Sequence, residues 1–194
     1  MNVLMRYLIF GNLILLSFVL VACSTDQKQY EHSSPNLDLK TYFNGSVTAW
    51  GILKNYSDKV TRRFCVEIIG TWQNNEGVLA ETFYFDDGEI SYRNWQLTKL
   101  SNGRYIGTAE DVVGQASGQG VGFSFQWQYQ LKIMVADSEY VLTLDDWLYQ
   151  LDEYRVFNQT ELKKFGIAVA HLTIFFDKAK PLRQCVKPEA LTLS

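Results

Sequence analysis

Apolar and polar residues alternate with a period of two along most of this chain. The clearest run is Val121 to Ile133, where Val121, Phe123, Phe125, Trp127, Tyr129, Leu131 and Ile133 share one face and Ser124, Gln126, Gln128, Gln130 and Lys132 the other. Successive side chains of a strand point to opposite faces, so this segment has one face for a core and one for water. From Gly45 to Phe176 no long stretch keeps helical apolar spacing. Runs of β-branched and aromatic residues predict strands near 46–54, 60–73, 78–85, 89–100, 104–110, 121–134, 139–151, 154–162 and 165–176. The last of these also suits a short buried helix, and strand is the preferred reading. Asn44-Gly45, Asn74-Asn75-Glu76-Gly77, Asp86-Asp87-Gly88 and Asn102-Gly103 supply the positive φ of tight hairpins. The pattern predicts an all-β antiparallel meander closed into a barrel, since closure removes exposed edges. Gly114, Gly118, Gly120 and Gly122 read as a bend or a close backbone approach before the strand at Val121.

Hairpin register brings the charged residues into the picture. A three-residue Asp86-Asp87-Gly88 loop with Gly88 left-handed pairs Glu81 with Arg93 and Leu79 with Trp95, and puts Phe83 and Phe85 on the same face. A two-residue Asp87-Gly88 loop would separate Arg93 from Glu81, because a one-residue slip flips every side chain. The first register is preferred because it collects Leu79, Phe83, Phe85, Trp95 and Leu97 on one face. The Asn102-Gly103 hairpin then places Glu110 opposite Trp95. Glu81, Arg93 and Glu110 would thus sit among aromatics inside the barrel. They form either a structural ion-pair network or a polar anchor, in which Arg93 receives a ligand carboxylate or phosphate while Trp95, Trp127 and Phe83 line an apolar cavity.

The chain begins differently. Arg6 precedes an apolar stretch from Tyr7 that ends in Leu20-Val21-Ala22-Cys23, the pattern of a signal peptide over residues 1–22 followed by a lipidated Cys23. Two or more acyl chains on that cysteine would anchor the protein stably. Ser24 after it, by resemblance to lipoproteins of Gram-negative bacteria, points to the outer membrane, facing the periplasm. Residues 23–38 are polar and read as a flexible tether, residues 39–176 as the barrel domain and 177–194 as a surface tail. Cleavage leaves 17 basic against 21 acidic side chains, a net charge of −4, which disfavours nucleic acid as a partner. Alternation of Phe64, Val66, Ile68 and Trp72 turns Cys65 outward, where it can meet Cys185 of the tail in a disulfide; otherwise the two remain unpaired thiols.

Catalytic signatures are sparse. His32 and His171 are the only histidines, too few for a His-based metal cluster, and His171 reads as a core residue. No Gly-x-Ser-x-Gly elbow and no Gly-rich loop ending in Lys-Ser or Lys-Thr occurs, so no metal and no cofactor is expected. Glu110-Asp111 and Asp145-Asp146 stand at strand ends, where a carboxylate can cap a loop, bind a cation or face a cavity. An enzyme would have to draw on Glu81, Glu110 or Asp145.

Tyr42-Phe43-Asn44-Gly45, Ala49-Trp50-Gly51, Arg62-Arg63-Phe64, Gly70-Thr71-Trp72, Asp86-Asp87-Gly88, Glu110-Asp111-Val112-Val113-Gly114, Asp145-Asp146-Trp147 and Lys164-Phe165-Gly166-Ile167 occur in this order. Together they resemble the bacterial lipoproteins of the domain-of-unknown-function 3833 family. The resemblance implies a lipocalin/calycin-like barrel of about eight to ten strands and a lipid-related role, and it transfers no catalytic residue. The expected function is a membrane-anchored barrel that binds a small apolar or acyl ligand, such as a fatty acid or phospholipid. The alternative is a filled, non-catalytic barrel that engages an envelope protein through its outer face near Arg62-Arg63.

Overall fold

Ten strands follow one another around a closed barrel: β1 (Gly45–Asn55), β2 (Val60–Gln73), β3 (Glu76–Phe85), β4 (Ile90–Lys99), β5 (Tyr105–Thr108), β6 (Val112–Val121), β7 (Ser124–Val135), β8 (Ser138–Gln150), β9 (Arg155–Lys164) and β10 (Ile167–Asp177). Every strand pairs antiparallel with its chain neighbours. The ring closes between β1 and β10, in register from Thr48–Asp177 to Asn55–Ala170. This is a computed structural model that describes residues 26–135 and 137–185, so Cys23 and the expected leader lie outside the described residues. Among those residues no helix is long and apolar enough to cross a membrane.

The meander expected from the alternation is the fold observed, with one strand more than the nine anticipated. The addition is β6, read from sequence only as a glycine-rich bend. Its inward positions Ala116 and Gly118 are too small to register as an apolar alternation. They are small because the wall is crowded there: a Cβ on Gly118 would collide with the Gln126 carbonyl, and one on Gly120 would meet the Leu37 carbonyl at 2.6 Å. The close backbone approach is real, and it lies within a strand.

The flexible tether expected before residue 39 is corrected by the structure. From Asp26 onward the segment is bound across one end of the barrel. Gln27, in a 3-10 turn over Gln27–Tyr30, is buried and donates from Nε2 to the Gln119 carbonyl at 2.8 Å. The Tyr30 ring lies 4.9 Å from Phe123, and the Leu37 amide donates to the Gly122 carbonyl at 2.9 Å. Polarity misled here because these contacts are mostly hydrogen bonds to strand ends, which an apolar pattern does not reveal. Asp38 then caps a one-turn helix, α1 (Leu39–Tyr42), by accepting from the Thr41 amide. Leu39, Tyr42 and Phe43 follow as a buried plug: Tyr42 donates its hydroxyl to the Tyr154 carbonyl at 2.8 Å, and Phe43 stands edge-on to Phe176 at 5.5 Å.

At the other terminus, Cys65 faces outward from β2 and is bonded to Cys185, with their Cα atoms 5.7 Å apart. The Cys185 amide donates to Glu67 at 3.1 Å and the Thr48 hydroxyl donates to the Arg183 carbonyl, so the tail is strapped along β1 and β2. In β10 a register shift between Ala168 and Ala170 sets the phase that turns Leu172, Ile174 and Phe176 to the cavity. His171 therefore lies on the alternate, outer positions and is half-buried, not a core residue.

Candidate functional site

The barrel is not filled. Its interior holds a cavity of about 620 Å³, within the range of ligand-binding pockets. Leu39 and Phe43 of the plug, with Phe125 and Phe176, form its floor. At mid-height Trp95 meets Trp127 edge-on at 5.7 Å and Tyr129 at 5.3 Å. Near the opposite, open end, where β1–β2, β3–β4 and β9–β10 turn, Phe64, Phe83 and Phe85 stand within 6.0 Å of one another. Arg62 lines this mouth with its guanidinium 3.5 Å from the Phe85 ring centroid and pairs with Asp87 and Glu89; Arg63 pairs outside with Asp86 at 2.8 Å. The two arginines are thus matched by the carboxylates of the neighbouring hairpin and are not a free basic patch.

The preferred register of the first hairpin holds: Glu81 pairs with Arg93 and Leu79 with Trp95 across β3–β4. Phe83, Trp95, Trp127, Glu81 and Arg93 all line the cavity. Glu110 does not, and this corrects the expectation. The turn between β4 and β5 is a three-residue loop, Ser101–Gly103, closed by the Leu100 amide donating to the Arg104 carbonyl at 2.8 Å, with Gly103 left-handed. Pairing is therefore Gln96 with Thr108, one residue off the expected register, and one residue suffices to reverse the faces. Glu110 lies exposed beyond the end of β5, accepting from the Asn94 amide and side chain at 3.0 Å. The next residue, Asp111, takes the place anticipated for it.

Asp111 accepts from Arg93 Nη2 at 2.6 Å and from Nε at 3.0 Å, while Glu81 Oε2 lies 4.0 Å from Nη1. Protein carboxylates therefore occupy the guanidinium fork. Of the two alternatives read from the sequence, the ion-pair network is the one seen, with Arg93 as counter-charge to Asp111 and Glu81 in the wall. Burial pushes the Glu81 carboxyl up to about 7; Arg93 opposes the shift, and the carboxylates of Asp111, Asp146 and Glu110 add to it.

Asp146 completes the polar layer; the Asp145-Asp146 pair lies in the middle of β8, not at a strand end as expected, and of the two only Asp145 had been considered for catalysis. Asp146 lies directly across from Trp127 in β7 and Thr160 in β9. It is 8% exposed, and burial raises its carboxyl to about 7 against the opposing pull of the Thr160 and Tyr129 hydroxyls and Arg93. Its Oδ1 is fully buried and accepts no hydrogen bond. Burial, with the Asp146 charge beside it, drives the Tyr129 phenol well above its ordinary value, so it stays protonated. The signal for Asp146 was available: Leu142, Leu144, Asp146 and Leu148 are the buried, alternating positions of β8. Its neighbour Asp145 points the other way and accepts from Gln126 at 2.7 Å. Among the described residues no group of three His, Cys, Asp or Glu side chains is arranged to hold a metal ion.

A solved structure similar to this one is the S-type phycobiliprotein lyase from Guillardia theta, with a TM-score of 0.51 and 8% identity over 81% of this chain and 100% of that one. At that identity the likeness speaks for the fold alone, a lipocalin/calycin-like barrel. No curated protein matches the chain. The profile described as "Protein of unknown function (DUF3833)" matches residues 17–178, and the chain belongs to that family.

Proposed function

We propose that this protein is a lipid-anchored envelope lipoprotein whose barrel binds a small, largely apolar ligand such as an acyl chain. The observation that carries the reading is the aromatic-lined cavity of about 620 Å³ inside a barrel whose strand alternation would allow it to be filled by side chains. The cavity supports this reading over the filled-barrel alternative. Its proposed contact surface at Arg62-Arg63 is already neutralised by Asp86, Asp87 and Glu89. The outward positions of β7, Gln126, Gln128, Gln130 and Lys132, suit a barrel surrounded by water.

Anchoring at Cys23 would also orient the barrel. Gln27, which is docked, follows Cys23 by four residue steps, a reach of at most about 14 Å. The plugged end would then lie near the lipid surface and the mouth would open away from it, toward the periplasm for an outer-membrane anchor. The test is to secrete the mature chain with Cys23→Ser, run native mass spectrometry and extract the purified protein for lipids. A stoichiometric acyl species retained by the folded chain is expected. An empty barrel that takes up neither fatty acids nor phospholipids overturns the reading.

A further inference from the structure

The polar layer of the cavity is unbalanced. It sets the carboxyls of Glu81, Asp111 and Asp146 against one guanidinium, and Asp111 already holds that guanidinium through two of its nitrogens. Asp146 is left with a buried oxygen that nothing donates to. An ionised carboxylate can only accept, so whatever completes Asp146 must bring an N–H or O–H. A hydroxyl would satisfy the oxygen but leave the negative charge in an apolar surround, which is expensive. An ammonium would supply both donor and counter-charge.

The neighbours of Asp146 point the same way. Trp127 is its direct cross-strand partner, and Trp95 stands edge-on to both Trp127 and Tyr129, so the carboxylate adjoins a cluster of three aromatic rings. Aromatic faces attract cations, and several together form the boxes that recognise ammonium groups. An anionic head, by contrast, would enter a layer with excess carboxylate whose arginine already holds Asp111 through Nε and Nη2 and faces Glu81 with Nη1. From this geometry we infer that the cavity selects an amphiphile bearing a hydrogen-bond-donating ammonium, with the nitrogen against the cavity-lining Asp146 carboxylate and the apolar body running toward Phe64, Phe83 and Phe85 at the mouth. The inference rests on the reading of the barrel as a ligand-binding site.

Three twelve-carbon probes of matched length test it: dodecylammonium, dodecanol and dodecanoate, titrated at pH 8 into the secreted mature Cys23→Ser chain by calorimetry and by tryptophan fluorescence. Dodecylammonium is expected to bind at least about tenfold more tightly than dodecanoate, the scale of one charge-assisted hydrogen bond. Asp146→Asn should erase most of that preference and leave dodecanol within about threefold of its affinity for the unaltered chain. Glu81→Gln removes a second carboxylate of the layer and should weaken dodecylammonium as well, an independent arm should Asp146→Asn not fold. Dodecanoate binding as tightly as dodecylammonium, or a preference that survives both substitutions, overturns the inference while leaving a ligand-binding barrel intact. Binding of none of the three probes overturns both.

Discussion

Asp146 gives the fold a built-in dependence on pH, and replacing it by asparagine isolates that dependence. The folded chain holds the Asp146 proton up to about 7, because ionising a carboxyl buried in the barrel is unfavourable; the ordinary value is 3.8. A group whose folded-state value is raised stabilises the fold below its unfolded value, and that contribution is lost as pH climbs through the folded one. Between about pH 4 and pH 7 the unfolded chain has released the proton and the folded chain has not, so stability falls as pH rises. The whole window corresponds to about 4 kcal/mol, of which about 2–3 kcal/mol falls between pH 5 and pH 8. Asparagine keeps the shape and has no proton to lose. Removing the Asp146 charge also relieves Glu81, whose carboxyl it pushes up, and this acts in the same direction. The stability of Asp146→Asn relative to the unaltered chain should therefore rise by about 2–3 kcal/mol from pH 5 to pH 8. Urea denaturation followed by tryptophan fluorescence at four pH values measures the difference, and every other titrating group common to both chains largely cancels. A difference constant within about 0.5 kcal/mol across the range would refute the assignment of Asp146 as a buried proton-binding carboxyl.

Other substitutions probe the same framework. Arg93→Met leaves Glu81 and Asp111 without their counter-charge and should cost about 3–5 kcal/mol at pH 8. The loss should be smaller at pH 5, where Glu81 holds a proton; an equal loss at both values would show that packing, not charge, is what Arg93 contributes. Cys185→Ser should lower stability by about 2–5 kcal/mol and expose the tail beyond Asp177 to protease, and an unchanged digestion pattern would mean that the bond to Cys65 does not hold the tail. Gly122→Ala drives a Cβ into the Tyr30 carbonyl at a backbone position of φ 56°, and should cost about 1–3 kcal/mol. Faster amide hydrogen exchange confined to residues 26–38 and the β6–β7 turn is its expected signature, and exchange spread evenly over the barrel would contradict the docking described here.

How much of this was legible in the sequence follows from what each element does with its side chains. β2 shows its core face plainly because Val66 and Ile68 are large and most of its outer residues, Thr61, Arg63, Glu67 and Thr71, are polar, and its bounds match the expected ones. β6 hides because its core face is Ala116 and Gly118, small under Trp127 and Phe125. The pairing of Glu81 with Arg93 was readable because, of the two loop lengths that Asp86-Asp87-Gly88 allows, the three-residue one collects Leu79, Phe83, Phe85, Trp95 and Leu97 on one face. The same loop form at Ser101–Gly103 was harder to see: Asn102-Gly103 also suits a two-residue turn, and the difference exchanged Glu110 for Asp111 as the partner of Arg93. Asp146 obeys the alternation of β8, yet a carboxylate at a core position breaks the hydrophobic pattern that identifies core positions. Such breaks are where functional residues are expected to lie.

The break in the β8 pattern at Asp146 bears on why the polar layer exists. Leu142, Leu144 and Leu148 show what β8 places inside the barrel when packing alone is at stake. Apolar residues in place of a buried ionic group are often neutral or stabilising, so a barrel built for strength alone would have little use for Glu81, Arg93 and Asp146. At neutral pH the raised carboxyls weaken the fold, and the orphaned oxygen of Asp146 adds to the deficit. A cation with N–H donors is what would offset both, by satisfying the oxygen and balancing the charge when it binds. Stability and binding should then move in opposite directions at residue 146: asparagine raises the relative stability of the empty barrel between pH 5 and pH 8 and makes the dodecylammonium complex weaker. A purely structural layer has no reason to couple the two, which makes that pairing of results the sharpest distinction between a wall brace and a ligand site.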